Sequence, residues 1–410
     1  MGKIELTATP TAVGLSEQRL DHVSDWMRAL VDAGTVPGLQ VVVARRGEIV
    51  FHDLAGAMDL EAGTALRPDT IYRIYSMTKP IVRAAAMMLY EEGRFQLDEP
   101  ISRYLPAFET MRVAVLDDDG GVDLVPAQRP ISFRDLMSHT SGLVYGGQVG
   151  PPFADWYAEA GVEFNFTSDC VTLAEMVARV PKVPLACHPG TEWNYGISID
   201  VLGHLVELLA DRPLDRFLAE RIFGPLGMTD TAFILPAGQL DRFAACYQVD
   251  AEGGLQLQDA PEGSRFTKPT ELFSGGGGLV STMADYVQFC RMMINKGALN
   301  GSRLLGRKTV EYMTCNHLPG DLAAMGQPSF SETSFEGIGF GLGVSVMLDP
   351  AKAQVIGSPG EYAWGGLAST AFWIDPAEEM FVVLMAQAMP SSALPLRRQL
   401  RVLAYQAIVD

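Results

Sequence analysis

The tetrapeptide Ser76-Met77-Thr78-Lys79 follows an extended segment and opens a long apolar-periodic stretch that runs to Leu89. The period predicts a helix, and residues three apart on a helix share one face, with about 5–6 Å between their Cβ atoms. Lys79 would therefore stand beside Ser76 as the base that a weak serine nucleophile needs. A serine in the first helical turn also lies near free N–H groups and the positive end of the helix dipole, which stabilise an anion. The same spacing fits a serine that only caps the helix, so the assignment depends on other parts of the chain.

The composition is that of a globular, acidic protein. Hydrophobic residues make up 48% of the 410 residues and charged residues 20%, enough apolar material for two lobes around substantial cores. The net charge of −18 disfavours nucleic acid and anionic membranes as partners. No apolar run reaches the roughly 18 residues of a membrane span. These features leave the oligomeric state open.

Cysteine and histidine usage favours a reduced compartment and no metal site. The five cysteines are scattered and form no C-x-x-C pair, so neither a disulfide framework nor a zinc knuckle is indicated. The segment Met1 to Leu15 lacks the apolar core of a secretory signal, and the histidines show no metal-ligand spacing. We therefore expect a cytoplasmic protein without a bound metal.

Strands are predicted near both ends of the chain. Val36 to Val43 and Ile49 to Ala57 flank the turn Arg45-Arg46-Gly47, which is typical of an antiparallel hairpin. Ser369 to Ile374 and Met380 to Gln387 flank a Pro-containing turn and predict a second strand pair. Helical patterns between Gly- and Pro-rich loops dominate the middle of the chain.

The simplest architecture is an α+β fold with one antiparallel sheet built from both ends of the chain. Amphipathic helices, Ser16 to Ala33 and Leu394 to Ile408, would cover this sheet. Residues 1–105 and 271–410 would form the α/β domain, and residues 106–270 an inserted, mostly helical domain. The helix that starts at Ser76 would lie at the seam between them.

Tyr195 is the candidate for a third catalytic group. It lies in Trp193-Asn194-Tyr195-Gly196, after a Pro-Gly turn and before a predicted helix. A lysine buried beside a serine cannot easily pass a proton to a leaving alcohol, whereas a tyrosine can if nearby cations lower its phenol pKa. Taken alone, Tyr195 is more typical of a packed core aromatic.

Trp364-Gly365-Gly366 precedes the predicted strand that starts at Ser369. Two glycines beside a strand allow close backbone approach by a ligand, and they fit a β-bulge equally well. A backbone N–H here, together with that of Ser76, would make a two-donor oxyanion hole.

The order and spacing of Ser76-x-x-Lys79, Tyr195 and Trp364-Gly365-Gly366 resemble the serine β-lactamase and penicillin-binding-protein superfamily. Within it the chain is most similar, over nearly its whole length, to the class C β-lactamase-like carboxylesterases called family VIII. Fungal statin acyltransferases and the amidohydrolases that cleave nylon oligomers share the resemblance. Further strings that resemble the family are Leu136 to Leu143, Asp200 to Gly203, Pro225 to Met228 and Gly275 to Leu279. The resemblance implies a β-lactamase/transpeptidase-like fold.

The resemblance also implies a role for each motif residue. Ser76 would accept the acyl group, and Lys79 with Tyr195 would deprotonate it and then protonate the departing alcohol. The backbone N–H groups of Ser76 and Leu367 would hold the oxyanion, and the Trp364-Gly365-Gly366 motif would lie beside the substrate. Water would hydrolyse the acyl-enzyme by the same relay in reverse, without a cofactor.

Two departures from the β-lactamase pattern favour neutral esters. β-Lactamases carry a Lys-Thr-Gly type third motif whose cation meets the carboxylate of the β-lactam, and here Trp364 stands in place of that lysine. An apolar ring cannot neutralise a carboxylate, and an unpaired desolvated charge is costly. The second motif, Tyr195-Gly196-Ile197, lacks the asparagine that would hold an amide. We therefore expect a small-molecule ester as substrate, with the short acyl chain that the resemblance implies.

Three other functions stay open. An acyltransferase would pass the acyl group to an alcohol instead of water. A β-lactamase or peptidase would cleave amides, and slow β-lactam cleavage is compatible with the shared acylating centre. A catalytically inactive binding protein would have lost a motif residue, yet Ser76, Lys79 and Tyr195 are all present.

Four further residues have more than one interpretation. His139 invites a Ser-His-Asp mechanism, but it lies in a Ser-His-Thr-Ser-Gly string that resembles a structural segment of the family. Ser198 lies in a string that approaches a Gly-x-Ser-x-Gly elbow but ends in Asp200, so we interpret it as a helix cap. Phe153 and Trp156 could line an acyl pocket or belong to the core of the helical domain.

Overall fold

The computed structural model describes residues 4–117, 121–162, 172–327, 329–330 and 333–410, and Cys170 lies outside these ranges. The strands are β1 Gly38–Arg45, β2 Glu48–Asp59, β3 Thr64–Ala65, β4 Ile71–Arg73, β5 Arg112–Leu116, β6 Val122–Pro126, β7 Cys246–Val249, β8 Leu255–Asp259, β9 Val280–Thr282, β10 Ala298–Leu299, β11 Ser302–Arg303, β12 Ser329–Phe330, β13 Thr333–Ser334, β14 Ile338–Phe340, β15 Ser345–Met347, β16 Tyr362–Gly365, β17 Ala371–Asp375, β18 Met380–Ala386 and β19 Ala388–Met389. The α-helices are α1 Glu17–Asp32, α2 Thr78–Glu91, α3 Phe133–Met137, α4 Gly146–Val149, α5 Phe153–Glu159, α6 Leu173–Arg179, α7 Ser198–Ala210, α8 Leu214–Leu218, α9 Gly224–Leu226, α10 Met283–Ile294, α11 Arg307–Met313, α12 Pro350–Ala353 and α13 Leu396–Tyr405. Single turns of other helix types are Pro10–Val13, Tyr75–Met77, Ile101–Arg103, Pro106–Phe108, Val180–Lys182, Ala219–Phe223, Leu240–Arg242 and Arg265–Thr267.

The central sheet has the strand order β14-β15-β16-β17-β18-β1-β2-β3, and all its neighbouring strands are antiparallel. β1, from the start of the chain, pairs with β18, from its end, in a register that sets Val42 opposite Val383. The turn between β1 and β2 places Arg46 (φ 53°) and Gly47 (φ 82°) in the left-handed region, as the favoured two-residue hairpin turn requires. The predicted antiparallel sheet, built from both chain ends, is confirmed.

Apolar side chains on the two faces of this sheet form separate layers. Val41 and Val43 of β1 share a cluster with Val23 of α1 and Leu400 of α13. Val42, between them, belongs instead to the cluster that includes α2. This alternation follows the two-residue period of a strand. The two terminal helices therefore cover one face of the sheet, and α2 lies on the other.

Helix α2 is buried along most of its length, from Thr78 to Leu89. The buried part includes two basic residues, Lys79 and Arg83, whose side chains are fully buried. Arg83 donates a hydrogen bond to the carbonyl of Gly343 at 2.8 Å. Lysine and arginine are rarely buried without a partner, so α2 places an unusual pair of basic groups at the junction between the sheet and the helical segment.

The middle of the chain holds helices α3 to α9, and also two strand pairs that the sequence patterns did not predict. β5 and β6 form a hairpin, while β7 pairs with β8 and, in parallel, with β19 near the end of the chain. Each of these four strands in the middle has only 4 or 5 residues, too few for a period of two to stand out. The domain limits 1–105 with 271–410, and 106–270, stay predictions.

Three general expectations concern membranes, metals and thiols. Among the described helices, none is both long and apolar enough to cross a bilayer. Within the described ranges, no group of three or more His, Cys, Asp or Glu side chains is arranged to hold a metal ion. The four described cysteines are free thiols, and all but Cys315 are buried. The cytoplasmic location and the absence of metal and cofactor stay predictions.

Candidate active site

Ser76 lies in a tight turn, Tyr75–Met77, that joins β4 to α2. β4 is held by β9, with which it pairs antiparallel. Tyr75 has a left-handed backbone (φ 41°), which is uncommon for a residue other than glycine, and its ring packs edge-on against Phe266 at 6.3 Å between centroids. Such positions persist only where the surrounding structure holds them, and they cluster at functional sites. The turn places Ser76 in the wall of a cavity.

The structure brings the three predicted side chains together. Lys79 Nζ lies 3.1 Å from Ser76 Oγ, and Tyr195 OH donates to the same Oγ at 2.6 Å. Lys79 Nζ also donates to the Gly276 carbonyl at 2.6 Å and to Tyr145 OH at 3.1 Å. The serine hydroxyl is therefore flanked by an amine and a phenol that are 3 and 119 residues away in sequence.

Lys79 is placed to act as a base near neutral pH. Burial lowers the pKa of Lys79 to about 7; the charge of Asp200 opposes this shift and the charge of Arg83 adds to it. Around pH 7 a large share of Lys79 is therefore an uncharged amine. At 3.1 Å from Ser76 Oγ, that amine can accept the hydroxyl proton.

Tyr195 differs from the expectation that cations lower its phenol pKa. Burial raises the pKa of Tyr195 well above its usual value, and this outweighs the lowering by hydrogen bonds with Ser76 and Trp364 and by the charge of Arg83. The phenol costs more to ionise because its partly buried ring packs against Trp364 at 5.6 Å between centroids. Tyr195 is thus a neutral phenol that donates to Ser76 Oγ, and a standing phenolate is not supported.

Two residues of the hydrogen-bond network were missed by the sequence analysis. Tyr145 is buried and reaches Lys79, and no motif marked it. Asp200, in the first turn of α7, accepts hydrogen bonds from Ser274 Oγ (2.5 Å) and from the N–H of Gly276 (3.1 Å). Because Gly276 also supplies the carbonyl that binds Lys79, Asp200 fixes the segment that orients the amine. The Asp200 to Gly203 string was the only signal for it.

Trp364 and Gly365 end β16, and Gly366 follows the strand beside the serine turn. A Cβ on Gly366 would collide with the carbonyl of Ile74, two residues before Ser76, and with Thr370 Oγ1. The N–H of Gly366 bonds to the Thr370 carbonyl at 2.8 Å. Only glycine lets the strand end approach the turn this closely. The oxyanion role of the N–H groups of Ser76 and Leu367 stays a prediction.

The cavity beside Ser76 encloses about 130 Å³. Of the predicted site residues, its wall includes Ser76, Tyr195, the whole Trp364-Gly365-Gly366 motif and Leu367. Other apolar side chains of the wall were not predicted from the sequence, among them Phe335, Ile338, Met347 and Val355.

Phe153 and Trp156 are not among the residues that line this cavity. Phe153 is buried in the large core cluster, with its ring edge-on to Trp156 at 5.2 Å between centroids. α5 packs closely on Gly146 of α4 through the Phe153 carbonyl. Phe153 and Trp156 therefore lie in the core of their own segment, which is one of the two interpretations of the sequence, and a contact of either ring with an acyl chain stays a prediction.

His139 and Ser198 do not form a second catalytic centre. His139 is fully buried, and its ring nitrogens find no hydrogen-bond partner among the described residues. Its ring packs edge-on against Tyr195 at 5.0 Å between centroids, and burial holds its pKa well below the usual value. Ser198 is the first residue of α7 and not its cap; its Oγ lies 2.8 Å from Ser141 Oγ.

Similar proteins were found by sequence and by structure. The family model described as Beta-lactamase matches residues 23–406. "Protein Rv1367c" of Mycobacterium tuberculosis (strain ATCC 25618 / H37Rv) is 36% identical over 90% of each chain, and "Esterase EstB" of Burkholderia gladioli is 31% identical over 92% of each. The solved structure "EstCE1, a hydrolase with promiscuous acyltransferase activity" superposes with a TM-score of 0.79 at 27% identity, covering 96% of this chain and 98% of that one. These matches confirm the predicted fold and resemblance: the chain belongs to the beta-lactamase family.

Proposed function

We propose that this protein is a serine carboxylesterase that hydrolyses small, short-acyl esters through an acyl-enzyme on Ser76. The observation that carries the proposal is the contact of Lys79 Nζ and Tyr195 OH with one hydroxyl, Ser76 Oγ, at 3.1 and 2.6 Å, in the wall of a cavity. An esterase that is 31% identical over 92% of the chain supports the ester-hydrolase class.

The acylation step uses groups that are already in contact. Uncharged Lys79, assisted by the phenol of Tyr195, takes the Ser76 hydroxyl proton while Oγ attacks the ester carbonyl carbon. The N–H groups of Ser76 and Leu367 receive the charge on the carbonyl oxygen; one such donor is worth roughly 2.7–4 kcal/mol in the transition state. The C–O bond to the alcohol then breaks, and Tyr195 passes a proton to the departing oxygen while Lys79 resupplies it.

Deacylation repeats the relay with water. Water replaces the alcohol, gives a proton to the Lys79 and Tyr195 pair, and attacks the acyl carbon. The bond to Ser76 Oγ then breaks, and Oγ recovers its proton from the same pair. Acid and alcohol are the products, and no other reactant is needed.

The pH dependence of kcat/KM tests the role of Lys79. Because the amine must be uncharged and burial lowers its pKa to about 7, we expect kcat/KM to fall about tenfold per pH unit below that value and to level off above it. The profile should be measured at constant ionic strength, with circular dichroism at each pH to exclude unfolding. A flat profile from pH 5 to 8 would contradict Lys79 as the base.

The acyl-chain preference is tested with p-nitrophenyl esters from acetate to palmitate. The short-acyl preference follows from the resemblance to the family VIII carboxylesterases, so we expect kcat/KM to peak at the short end. A peak at the long end would overturn the short-acyl assignment. Nitrocefin in the same series checks the amidase alternative, which turnover far above that of the esters would support.

Acyl transfer is the second candidate function. The specific observation is the fold shared, at a TM-score of 0.79 and 27% identity, with a hydrolase that has promiscuous acyltransferase activity. The chemistry differs only in the acceptor that attacks the acyl-Ser76. Adding small alcohols to the ester assay and measuring the transferred acyl group by mass spectrometry separates the two.

A further inference from the structure

Arg83 is a second basic residue on the Lys79 face of α2, because residues four apart on a helix are neighbours. Its side chain is fully buried, and its Nη1 donates to the Gly343 carbonyl at 2.8 Å. Its Nε and Nη2 have no hydrogen-bond partner among the described residues, and it forms no ion pair with any of them. Within the described part of the chain, the guanidinium charge is therefore not neutralised by a carboxylate.

The fold makes room for this side chain. Gly343 has a left-handed backbone (φ 137°), and a Cβ there would lie 2.9 Å from Arg83 Cδ. A buried charge without an ionic partner lowers the stability of the folded state, and apolar replacements of buried charged groups are often neutral or stabilising. One hydrogen bond to a loop carbonyl does not account for a charged residue at this position, so we looked for its role beside the active site.

Arg83 and Lys79 border the same layer of aromatic rings. The Arg83 guanidinium lies over the Phe340 ring at 5.4 Å, and Lys79 Nζ lies over the Tyr195 ring at 4.5 Å. Phe340 and Tyr195 both pack against Trp364, at 5.4 and 5.6 Å between centroids. Charges in such an apolar interior interact much more strongly than charges in water. The Arg83 charge therefore acts on the proton relay although it makes no contact with Ser76.

The other titratable groups that face Lys79 come from α7 and from the loops around it: Asp200, His139, Tyr145 and Tyr195. Burial holds the pKa of His139 well below its usual value and the pKa values of the two tyrosines well above theirs. These three groups are therefore uncharged near pH 7.

Two opposing charges then act on the Lys79 amine. The Asp200 carboxylate raises the pKa of Lys79, and the Arg83 guanidinium lowers it. Burial lowers the pKa of Arg83 itself to about 9, so the guanidinium is still charged near pH 7. Protonation of Lys79 would place a second positive charge beside this one, which like-charge repulsion disfavours.

We propose that Arg83 is a positioning residue of the Ser76 relay: its fixed positive charge, one helical turn beyond Lys79, keeps that amine uncharged and so extends ester hydrolysis to lower pH. Arg83 does not line the cavity and acts through Lys79. The inference rests on the proposed esterase function and names the group that sets its working pH range.

Lysine NMR tests the proposal without any substrate. The chain has seven lysines, so in protein labelled with ¹³C at lysine Cε the Lys79 signal is identified by its loss in Lys79→Met. We expect the Lys79 pKa to rise by about one pH unit in Arg83→Met and in Arg83→Gln, because only the attraction of Asp200 remains. An unchanged Lys79 pKa in both variants overturns the proposal.

The two neutral variants separate the charge from the hydrogen bond. Arg83→Gln keeps a donor for the Gly343 carbonyl, whereas Arg83→Met does not. Equal pKa shifts in both variants support the charge; a shift confined to Arg83→Met would assign the effect to the lost hydrogen bond and overturn the proposal. Failure of both variants to fold, checked by thermal denaturation, would give Arg83 a structural role and overturn it as well.

A buried arginine far from the relay is the matched control. Arg45 on β1 is paired with Glu378 and Asp410 and contacts no group of the relay. Arg45→Gln should leave both the Lys79 pKa and the pH profile of kcat/KM as in the native protein. A Lys79 shift in Arg45→Gln as large as that in Arg83→Gln would show a general effect of lost charge and contradict the proposal.

The pH profile of kcat/KM for p-nitrophenyl acetate gives the consequence for catalysis. In both Arg83 variants the acid limb should move up by about one pH unit, so kcat/KM at pH 6 should fall about tenfold while the plateau at high pH changes little. An equal loss at every pH would indicate a merely structural role and overturn the proposal.

The two readouts also separate this inference from the esterase assignment. If the protein hydrolyses no ester, the esterase proposal fails, and the Lys79 pKa measured by NMR still decides the role of Arg83. Normal ester hydrolysis together with an unchanged Lys79 pKa in the Arg83 variants rejects only the role of Arg83.

Discussion

The change Ser76→Ala is expected to lower kcat for ester hydrolysis by about 10⁶-fold, the size of effect that follows removal of a serine nucleophile. Ser76 Oγ is the atom that both Lys79 Nζ and Tyr195 OH contact, so no other hydroxyl in this network can take its place. Stopped-flow measurement of the p-nitrophenol burst gives the acylation rate directly. The burst should vanish in the variant, together with the mass increase that a serine-reactive phosphonate produces in the native protein.

A second serine in the same cavity provides the control for this experiment. Ser391 also lines the cavity, so Ser391→Ala tests whether loss of any serine from the wall has the same effect. We expect this variant to keep the burst and the phosphonate adduct. An adduct that persists in Ser76→Ala but disappears in Ser391→Ala would place the nucleophile at Ser391.

The sequence predicted the reacting groups because their chemistry leaves local marks. The spacing of Ser76 and Lys79 matches one helical turn. The glycines of the third motif predict a close backbone approach, which the structure confirms at Gly366. Strand pairs with long apolar runs, such as β1 with β18, were also predictable, because burial on both faces removes most polar residues.

Other side chains around the site are positioned by tertiary packing, and no local sequence pattern predicts where they lie. Tyr145 meets Lys79 only because a loop from the helical segment reaches α2. The apolar period of α13 predicted a helix against the sheet, but a period cannot show that its charged face turns toward a cavity and not toward solvent. The sequence left the place of Phe153 and Trp156 open, because aromatic side chains in a loop-rich segment fit a pocket and a core equally well.

The direction of the Tyr195 pKa shift was also not predictable from the sequence, because it depends on burial in the folded protein. From residue types alone, cations near a phenol lower its pKa. In the folded protein the aromatic surroundings of Tyr195 remove more solvation than Arg83 supplies in attraction, so the pKa rises. The proposed mechanism therefore starts from an uncharged lysine and an uncharged tyrosine, and in it the proton moves between them only as the ester reacts.

The change Tyr195→Phe is expected to reduce kcat/KM by roughly 10²- to 10⁴-fold, the usual contribution of a positioned proton-transfer group. The ring, with its contacts to Trp364 and His139, remains, so the loss would report the missing hydroxyl. Lys79→Ala should cost at least as much, because it removes the base. Since both residues move the same proton, the double variant should lose far less than the product of the two single effects.

A buried tyrosine outside this relay gives the matched control. Tyr157 OH accepts a hydrogen bond from the N–H of Val144 at 3.2 Å, so Tyr157→Phe removes a buried phenol oxygen without touching Ser76. Thermal denaturation should show that both Tyr→Phe variants are folded. The kcat/KM of Tyr195→Phe should be at least tenfold lower than that of Tyr157→Phe, a margin that the loss expected for a relay residue exceeds. Near-native kcat/KM in Tyr195→Phe would remove Tyr195 from the mechanism and leave Lys79 as the only proton carrier beside Ser76.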